Sequence, residues 1–334
     1  MDGLAYGRPP SACVCRLLAG CGSVQRYVAA GREHLVSHTP PEHEPVLLAE
    51  VVQLLDPQPG QIVLDGTVGL GGHARALLPR ILPAGKYIGI DIDEAMLAVA
   101  RQRLAPLAGD ALHLFAASYA DFPSVLERVG VRRVDSMLLD LGVCSAQLDD
   151  AARGFSFERE GPLDMRFDLG QRQMAMDLVN GLTESELSEL IFRYGQEPLS
   201  RKIARRICQA RHSGRITTTR ALAAAVEGVR GEPRPGKIHP ATRVFQALRI
   251  AVNRELENLE RFLQQAPEHL NPGGRLGVIS FHSLEDGIVK RFIRAGAAAG
   301  ALRELTRRPV VASEQERRQN PRSRSAKLRV AQRV

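Results

Sequence analysis

The sequence is poor in the residues that several common classes of protein need. Tryptophan is absent and aromatic residues make up 4% of the 334 residues, so a stacking platform of exposed rings for single-stranded nucleic acid is not expected. No stretch approaches the ~18 consecutive apolar residues that a membrane-spanning helix requires. The five cysteines, three of them clustered at Cys13, Cys15 and Cys21, suit neither a disulfide framework nor a zinc site. We therefore expect a globular protein of a reducing compartment, without a membrane or metal partner.

Positive charge is concentrated in two parts of the chain. The formal net charge is +8, and residues 301–334 hold ten of the 45 Lys and Arg but only three of the 37 Asp and Glu. Residues 198–226 hold seven basic residues and no acid, with Ile203 and Ile207 on one side of the predicted helix and Arg201 and Arg205 on the other. Both segments fit a surface that faces a polyanion such as RNA, and both also fit a solvated basic face.

The order of apolar runs predicts an α/β protein. Short runs at 61–65, 86–91, 112–115 and 134–140 alternate with helical patterns at 93–104 and 119–129. Such alternation indicates buried parallel strands in βαβ units, and hence a doubly wound sheet.

From residue 146 to 240 the pattern is helical, and a strand pattern resumes only at 271–280. The helices are predicted at 183–194, 200–211 and 219–229, followed by one long amphipathic helix over 242–265. A helical domain inserted between two strands of one sheet is the simplest interpretation. Residues 1–37 are predicted to be a poorly ordered N-terminal extension. A bacterial extension or an early start codon is preferred there to an organellar transit peptide.

A glycine-rich loop follows the first predicted strand and opens a helix. It runs from Asp65 to His73 in the pattern D-x-x-x-G-x-G, and Asp91 ends the next strand. The glycines loosely fit a dinucleotide fingerprint, in which Asp91 would bind a ribose. A carboxylate at Asp65 would repel a pyrophosphate, however, and would suit the cationic sulfonium and ammonium of S-adenosylmethionine. This favours S-adenosylmethionine over a nicotinamide dinucleotide.

Eight blocks of sequence, in order from residue 43 onward, resemble the RsmH (MraW) family. They are HEPVLLAE at 43–50, GGH at 71–73, LDLGVCSAQLDD at 139–150, RGFSF at 153–157, GPLDMR at 161–166, FQALR at 245–249, FHSLED at 281–286 and NPRSRSAKLR at 320–329. The resemblance implies an S-adenosylmethionine-dependent enzyme that methylates N4 of a cytidine in the decoding region of small-subunit (16S) ribosomal RNA. It also implies a Rossmann-like class I methyltransferase sheet with an inserted all-helical domain.

Taken with the pattern above, the resemblance predicts three segments. Residues 38–145 and 241–334 form the methyltransferase domain, and 146–240 form an inserted helical, substrate-binding domain. The expected partner is small-subunit ribosomal RNA within an assembled or assembling subunit, in the bacterial cytoplasm. Whether the chain forms a homodimer stays open.

The family's cofactor contacts can be carried over to individual residues of this sequence. The resemblance implies that S-adenosylmethionine is bound by residues of the loop and of the strand ends: Gly71, Gly72, His73, Asp91, Tyr119, Asp140 and Gln147. At Tyr119 the family has an aromatic residue, usually Phe. Cys144 and Ala146 depart from the family's usual motif, which has Ser and Pro there.

Asp140 is the candidate catalytic residue. The lone pair of cytosine N4 is delocalised into the ring, so a carboxylate that accepts its N–H would help to localise the pair and would receive the proton. Asp140 ends the fourth strand, where ligands meet in sheets of this kind. The Asn/Asp-Pro-Pro-Tyr motif of many amino-methylating enzymes is absent.

Structural interpretations compete with some of these assignments. His73 could cap the following helix, and for His282 a hydrogen-bonded structural role is preferred to a chemical one. Four acids, Asp149, Asp150, Asp164 and Asp168, are interleaved with arginines, which favours salt-bridged loops over a cation site. Two other functions remain as alternatives: a nicotinamide-dependent oxidoreductase and a non-catalytic RNA-binding assembly factor.

Overall fold

A computed structural model describes residues 28–29, 32–33, 45–232 and 238–334. The chain divides into two units, Met1–His43 and Glu44–Val334. Within the first unit, Val28–Ala29 and Arg32–Glu33 form a short antiparallel pair. The rest of the predicted N-terminal extension, 1–37, lies outside the described residues.

The second unit contains a seven-stranded sheet. Its strands are β1 (Ile62–Asp65), β2 (Lys86–Asp91), β3 (Leu112–Ala116), β4 (Val134–Asp140), β5 (Leu270–Ser280), β6 (Leu302–Glu304) and β7 (Lys327–Arg333). They lie in the order β3-β2-β1-β4-β5-β7-β6. The first five are parallel, and β7 runs antiparallel between β5 and β6. The four early strands predicted from apolar runs are therefore confirmed, and the parallel sheet with them.

Helices cover both faces of this sheet. The elements before and between the first strands are α1 (Leu48–Leu55), α2 (Gly72–Ile81), α3 (Glu94–Ala108) and α4 (Phe122–Val129); those after β5 are α12 (Ser283–Ala298) and α13 (Glu314–Gln319). Strand residues alternate between two cores: Tyr87 packs with α1, α2 and α3, whereas Ile88 packs with α4 and α12. Burial on both faces explains why the strands are continuously apolar in sequence.

The chain between β4 and β5 is helical. It forms α5 (Ser145–Asp149), α6 (Ala175–Gly181), α7 (Glu184–Gly195), α8 (Ser200–Ser213), α9 (Thr219–Arg230), α10 (Thr242–Asn253) and α11 (Glu255–His269). The Thr183 hydroxyl and the Glu186 carboxylate form the predicted capping box at the start of α7. A third apolar core joins α6 to α10.

The single helix predicted over 242–265 is wrong, because the structure breaks it into α10 and α11. Arg254 lies between them in the left-handed region, at φ 51°. Phe245 of α10 is buried in the third core, whereas Phe262 of α11 is buried against the sheet. One straight helix has one apolar stripe and cannot face two cores in different directions, so the break is imposed by packing rather than by a breaker residue.

We expect Arg254→Asn to stabilise the protein. Asn tolerates a positive φ better than Arg, because its short polar side chain can hydrogen-bond locally in the left-handed conformation. The expected gain in the free energy of unfolding is roughly 1 kcal/mol, measured by urea denaturation. Glu257→Gln serves as the control, because it removes only the exposed pair with Arg254 and should change stability by less than about 0.5 kcal/mol. A destabilised Arg254→Asn protein would contradict this account of the break.

Candidate active site

Three carboxyl groups lie at the carboxyl ends of adjacent parallel strands. Asp65 ends β1, Asp91 ends β2 and Asp140 ends β4. Because β1 lies between β2 and β4, the three side chains come together at one edge of the sheet. In open α/β sheets ligands bind at this edge, at the point where the strand order reverses, which here lies between β1 and β4.

Asp65 is buried, and both of its carboxylate oxygens are hydrogen-bonded within the protein. One of its oxygens accepts a hydrogen bond from the Tyr87 hydroxyl at 2.7 Å, and the other accepts one from the Thr67 amide at 3.0 Å. Burial raises its pKa to about 6, against the lowering effect of those hydrogen bonds. Asp65 therefore holds the glycine loop and contributes negative potential to the strand ends.

The glycine loop is shaped by both backbone conformation and packing. Gly69 and Gly71 have positive φ values of 52° and 84°, and Gly71 is the residue before α2. At Gly72 a Cβ atom would lie 2.6 Å from the Pro45 Cγ, so only glycine fits without a shift. The structure therefore gives Gly71 and Gly72 structural reasons for being glycine, in addition to the ligand contact predicted for them.

Asp91 links the glycine loop to the turn after β2. Its Oδ2 accepts a hydrogen bond from the Gly69 amide at 2.8 Å and its Oδ1 one from the Asp93 amide at 2.9 Å. Each oxygen keeps a lone pair that can accept from a ribose hydroxyl. Burial raises the pKa of Asp91 to about 6.

The side chain of Gln147 is held within the protein. Its amide donates to Asp93 Oδ2 at 2.9 Å and its oxygen accepts from the Cys144 amide at 3.1 Å. Arg153 donates to the same Asp93 oxygen at 2.6 Å. Asp93 and Arg153 were not among the residues predicted for the site. The RGFSF block contains Arg153, but its spacing gave no sign of this contact.

Tyr119 lies beside the glycine loop, in a short 3₁₀ turn, Tyr119–Asp121, after β3. A Cβ atom at Gly66 would come within 2.9 Å of the Tyr119 Cβ. The partly buried Tyr119 ring packs edge-on against Phe262, with 5.9 Å between ring centres, and its hydroxyl donates to the Glu255 carbonyl at 3.3 Å. An aromatic side chain therefore lies between the loop and α11, and the cofactor contact of Tyr119 stays a prediction.

Asp140 has an oxygen that the protein leaves unsatisfied. The Asp140 amide donates to the Thr67 hydroxyl at 2.6 Å, which fixes the end of β4. Its Oδ1 is buried and has no hydrogen-bond partner among the described residues, while its Oδ2 lies 3.6 Å from His73 Nδ1. Burial, reinforced by the charges of Asp65 and Glu285, raises the pKa of Asp140 to about 8. Without a ligand this carboxyl therefore keeps its proton at neutral pH, and a positive charge bound beside it would lower its pKa toward neutrality.

His73 is the second residue of α2 and is 6% exposed. Its Nε2 lies 3.0 Å from the Val46 carbonyl oxygen, and burial lowers its pKa to about 4. The side chain does not cap α2, because Gly71 precedes that helix without a side-chain hydrogen bond. His73 and Asp140 are therefore brought together, although 67 positions separate them.

A buried charged cluster was not predicted next to the crevice, which is the site between the strand-end carboxyls of Asp65, Asp91 and Asp140. Arg249 of α10 donates to both oxygens of Glu255 at 2.8 Å, and Glu285 of α12 contacts His282 at 3.1 Å. Three of these groups, Glu255, His282 and Glu285, place donor atoms within 4.8 Å of one another. Because Arg249 already neutralises Glu255, this is an ion-pair cluster. The structural role preferred for His282 is confirmed: it precedes α12 and completes its capping box.

The other predicted surface features also appear. Arg166 binds both oxygens of Asp164 at 2.7 and 2.8 Å, so this loop is salt-bridged as expected.

On α8, Ile203 and Ile207 are buried, and four basic side chains are exposed: Arg201, Lys202, Arg205 and Arg206. The amphipathic basic helix predicted from 200–211 is thereby confirmed.

The crevice suits a ligand that carries positive charge. Desolvated carboxyls with raised pKa values and a buried oxygen without a partner indicate uncompensated negative potential. The sulfonium and ammonium of S-adenosylmethionine meet that demand, and Asp91 can accept from its ribose diol. The anionic pyrophosphate of a nicotinamide dinucleotide does not.

The strand order, with its antiparallel seventh strand, and the acidic crevice define a Rossmann-like class I methyltransferase that uses S-adenosylmethionine. The family model described as "MraW methylase family" matches residues 41–334, and the chain belongs to that family.

Curated relatives match most of the chain. One from Nitratidesulfovibrio vulgaris is 48% identical over 87% of this chain and 86% of its own. One from Sorangium cellulosum is 48% identical over 88% and 91%, and one from a Methylobacterium species is 50% identical over 87% and 91%. Each of these relatives is named ribosomal RNA small subunit methyltransferase H.

Within the part of the chain that the structure describes, no helix is long and apolar enough to cross a membrane.

We expect stability to fall between pH 6.5 and pH 8. The folded protein keeps the Asp140 proton up to about pH 8, whereas an unfolded aspartate loses it near pH 4. The folded state then binds more protons than the unfolded state, so the free energy of unfolding decreases as the pH rises, by up to about 1.4 kcal/mol per pH unit. Urea denaturation at both pH values, without added ligand, measures this change. Asp140→Asn should abolish the decrease; a decrease of unchanged size in that variant would assign it to another group.

Proposed function

We propose that this enzyme transfers a methyl group to N4 of a cytidine in the decoding region of small-subunit ribosomal RNA. The RNA substrate is supported by the names of the curated relatives, and the cytidine by the sequence blocks that resemble their family. The observation that carries the chemistry is the unsatisfied, buried Oδ1 of Asp140 at the end of β4. We place the enzyme in the bacterial cytoplasm, with the substrate inside an assembled or assembling subunit.

We propose that the residues predicted for the cofactor site act in different ways. Asp91 accepts hydrogen bonds from the ribose, Tyr119 covers the adenine side, and the backbone of Gly71 and Gly72 allows close approach. Gln147 acts through Asp93, whose position it fixes. S-adenosylmethionine supplies an electrophilic methyl group on a positively charged sulphur.

Asp140 is proposed to prepare the nucleophile. An in-line displacement needs the N4 lone pair directed at the methyl carbon, and the enzyme gains most by holding that alignment. When a carboxylate oxygen of Asp140 accepts one N4–H, the lone pair is drawn out of the ring and the departing proton has an acceptor. A cationic methyl donor bound beside Asp140 would lower its raised pKa toward neutrality, where a carboxylate is an effective proton acceptor.

The helical insertion and the basic helix α8 are proposed to bind the RNA. Because α10 packs in the third core with α6–α9, we take the proposed insertion to run on to Asn253 rather than to end at residue 240. Exposed Arg and Lys on α8 provide charges for phosphate groups. The ion pair between Arg153 and Asp93 ties the insertion to the turn that holds Asp91.

Labelled S-adenosylmethionine and immature small subunits provide the test of the proposed function. Nucleoside mass spectrometry should show N4-methylcytidine at one position, and the same assay on naked RNA shows whether an assembled subunit is required. Methylation of another base or atom, or no methylation of either substrate, would refute the proposal.

Asp140→Asn should lower kcat by roughly 10²-fold or more, because the amide cannot accept the proton. Binding of S-adenosylhomocysteine, measured by calorimetry, should change by less than about tenfold, which corresponds to ~1.4 kcal/mol. Asp110→Asn, at an exposed acid after α3, is the matched control and should behave as wild type. Full activity of Asp140→Asn would remove Asp140 from the chemistry.

Charge reversal on α8 tests the RNA surface. Arg201→Glu with Lys202→Glu should raise KM for the RNA substrate while kcat stays near wild type. In a plot of the logarithm of the RNA binding constant against the logarithm of salt concentration, the slope should become shallower by about one for each lost phosphate contact. The control pair is Arg80→Glu with Arg101→Glu, two exposed residues of α2 and α3. Equal effects of the two pairs would point to net charge rather than to a defined surface.

A further inference from the structure

The His73 ring is fixed in one tautomer by its surroundings. A carbonyl oxygen can only accept a hydrogen bond, so the 3.0 Å contact between His73 Nε2 and the Val46 oxygen places the ring proton on Nε2. In the neutral imidazole Nδ1 is then a free acceptor. That Nδ1 lies 3.6 Å from Asp140 Oδ2.

The other groups near Asp140 carry charge of the same sign or are already paired. Asp65 comes from β1 and Glu285 from α12, and both carboxyls disfavour an additional negative charge at Asp140. The guanidinium of Arg249 is bound to Glu255. Among these neighbours, the His73 ring offers Asp140 a neutral acceptor.

A proton held by the pair of Asp140 and His73 resides on Asp140 rather than on His73. Burial lowers the pKa of His73 to about 4 and raises that of Asp140 to about 8. At neutral pH a proton on the pair therefore resides on the carboxyl, and the imidazole stays uncharged. The 3.6 Å separation is longer than a hydrogen bond, but catalytic hydrogen bonds often shorten only when the substrates bind.

We propose that His73 is the positioning residue for the proton acceptor, its Nδ1 accepting the hydrogen bond of protonated Asp140. This rests on the proposed function. The N4 lone pair forms the bond to the methyl carbon, the carbon–sulphur electron pair stays on sulphur, and the N4 proton passes to the free Oδ1 of Asp140. Rotation of the carboxyl group then turns the new O–H toward His73 Nδ1, which Oδ2 faces before the reaction. The sulfonium loses its charge as the carboxylate loses its own, so the net charge of the buried crevice does not change. The proton leaves for solvent after product release.

Two variants of His73 separate its two contacts. His73→Gln retains an N–H donor for the Val46 carbonyl but lacks an acceptor at the δ position. His73→Asn offers an acceptor at the δ position but cannot reach Val46. If His73 positions Asp140, kcat should fall about 10- to 100-fold in His73→Gln and less in His73→Asn, whereas thermal stability should fall more in His73→Asn.

The pH profile gives a further expectation for His73→Gln. Loss of the Nδ1 acceptor destabilises protonated Asp140 and so lowers its pKa. The rising part of the plot of kcat/KM against pH should therefore move to lower pH. Calorimetric titration of S-adenosylhomocysteine separates this effect from a cofactor contact of the His73 side chain, because loss of such a contact would weaken binding of both variants alike, whereas loss of the Nδ1 acceptor is specific to His73→Gln. If activity followed stability in both variants with an unshifted pH profile, His73 would be merely structural and the proposal would be overturned.

Nitrogen NMR of ¹⁵N-histidine-labelled protein tests the pair without any RNA. His73 should remain neutral with its proton on Nε2 from pH 6 to 9, while the Nδ1 shift follows the titration of Asp140. Asp140→Asn should abolish that titration, because its amide donates to Nδ1 at every pH. A positively charged His73 above pH 6, or an Nδ1 shift that ignores Asp140, would overturn the proposal. If instead wild type made no N4-methylcytidine while the NMR result held, the proposed function would fail and the pair would stand.

Discussion

The desolvation of three carboxyl groups at one edge of a parallel sheet is the constraint on which this structure depends. Asp65, Asp91 and Asp140 end neighbouring strands, and their shared low-dielectric surroundings raise all three pKa values. The protein offsets part of this cost with donors of its own, the Tyr87 hydroxyl and the amides of the glycine loop. The negative potential that remains, chiefly at Asp140, can be neutralised by a cationic methyl donor.

The remainder of the molecule organises groups around that edge. Asp93 connects the turn after β2 to Arg153 and Gln147 at the start of the helical insertion. At the other end of the helical insertion, Arg249 of α10 binds Glu255 of α11, across the break at Arg254. Because both connections are buried charge-assisted contacts, removal of one partner leaves a desolvated charge. The insertion is thus joined to the sheet through the elements that surround the crevice.

Local patterns predicted the elements well and the contacts between them poorly. The apolar runs that became β1 to β4 could be read directly, because strands buried on both faces are continuously apolar. The break at Arg254 could not, because Arg is no helix breaker and 242–265 keeps a helical period throughout. Asp91 and Asp140 were placed by their positions after strands. Asp93 and Arg153 were missed, because no local signal relates two charges 60 positions apart.

The sequence by itself determined the order of strands and helices, the family, and which acids stand at strand ends, because periodicity and turn residues act over a few positions. Only the tertiary structure decided that Asp65 is satisfied internally while Asp140 is not, and that Val46 sets the tautomer of His73. Desolvation depends on everything packed around a group, from every part of the chain. The protonation states in this crevice are therefore properties of the fold rather than of any motif.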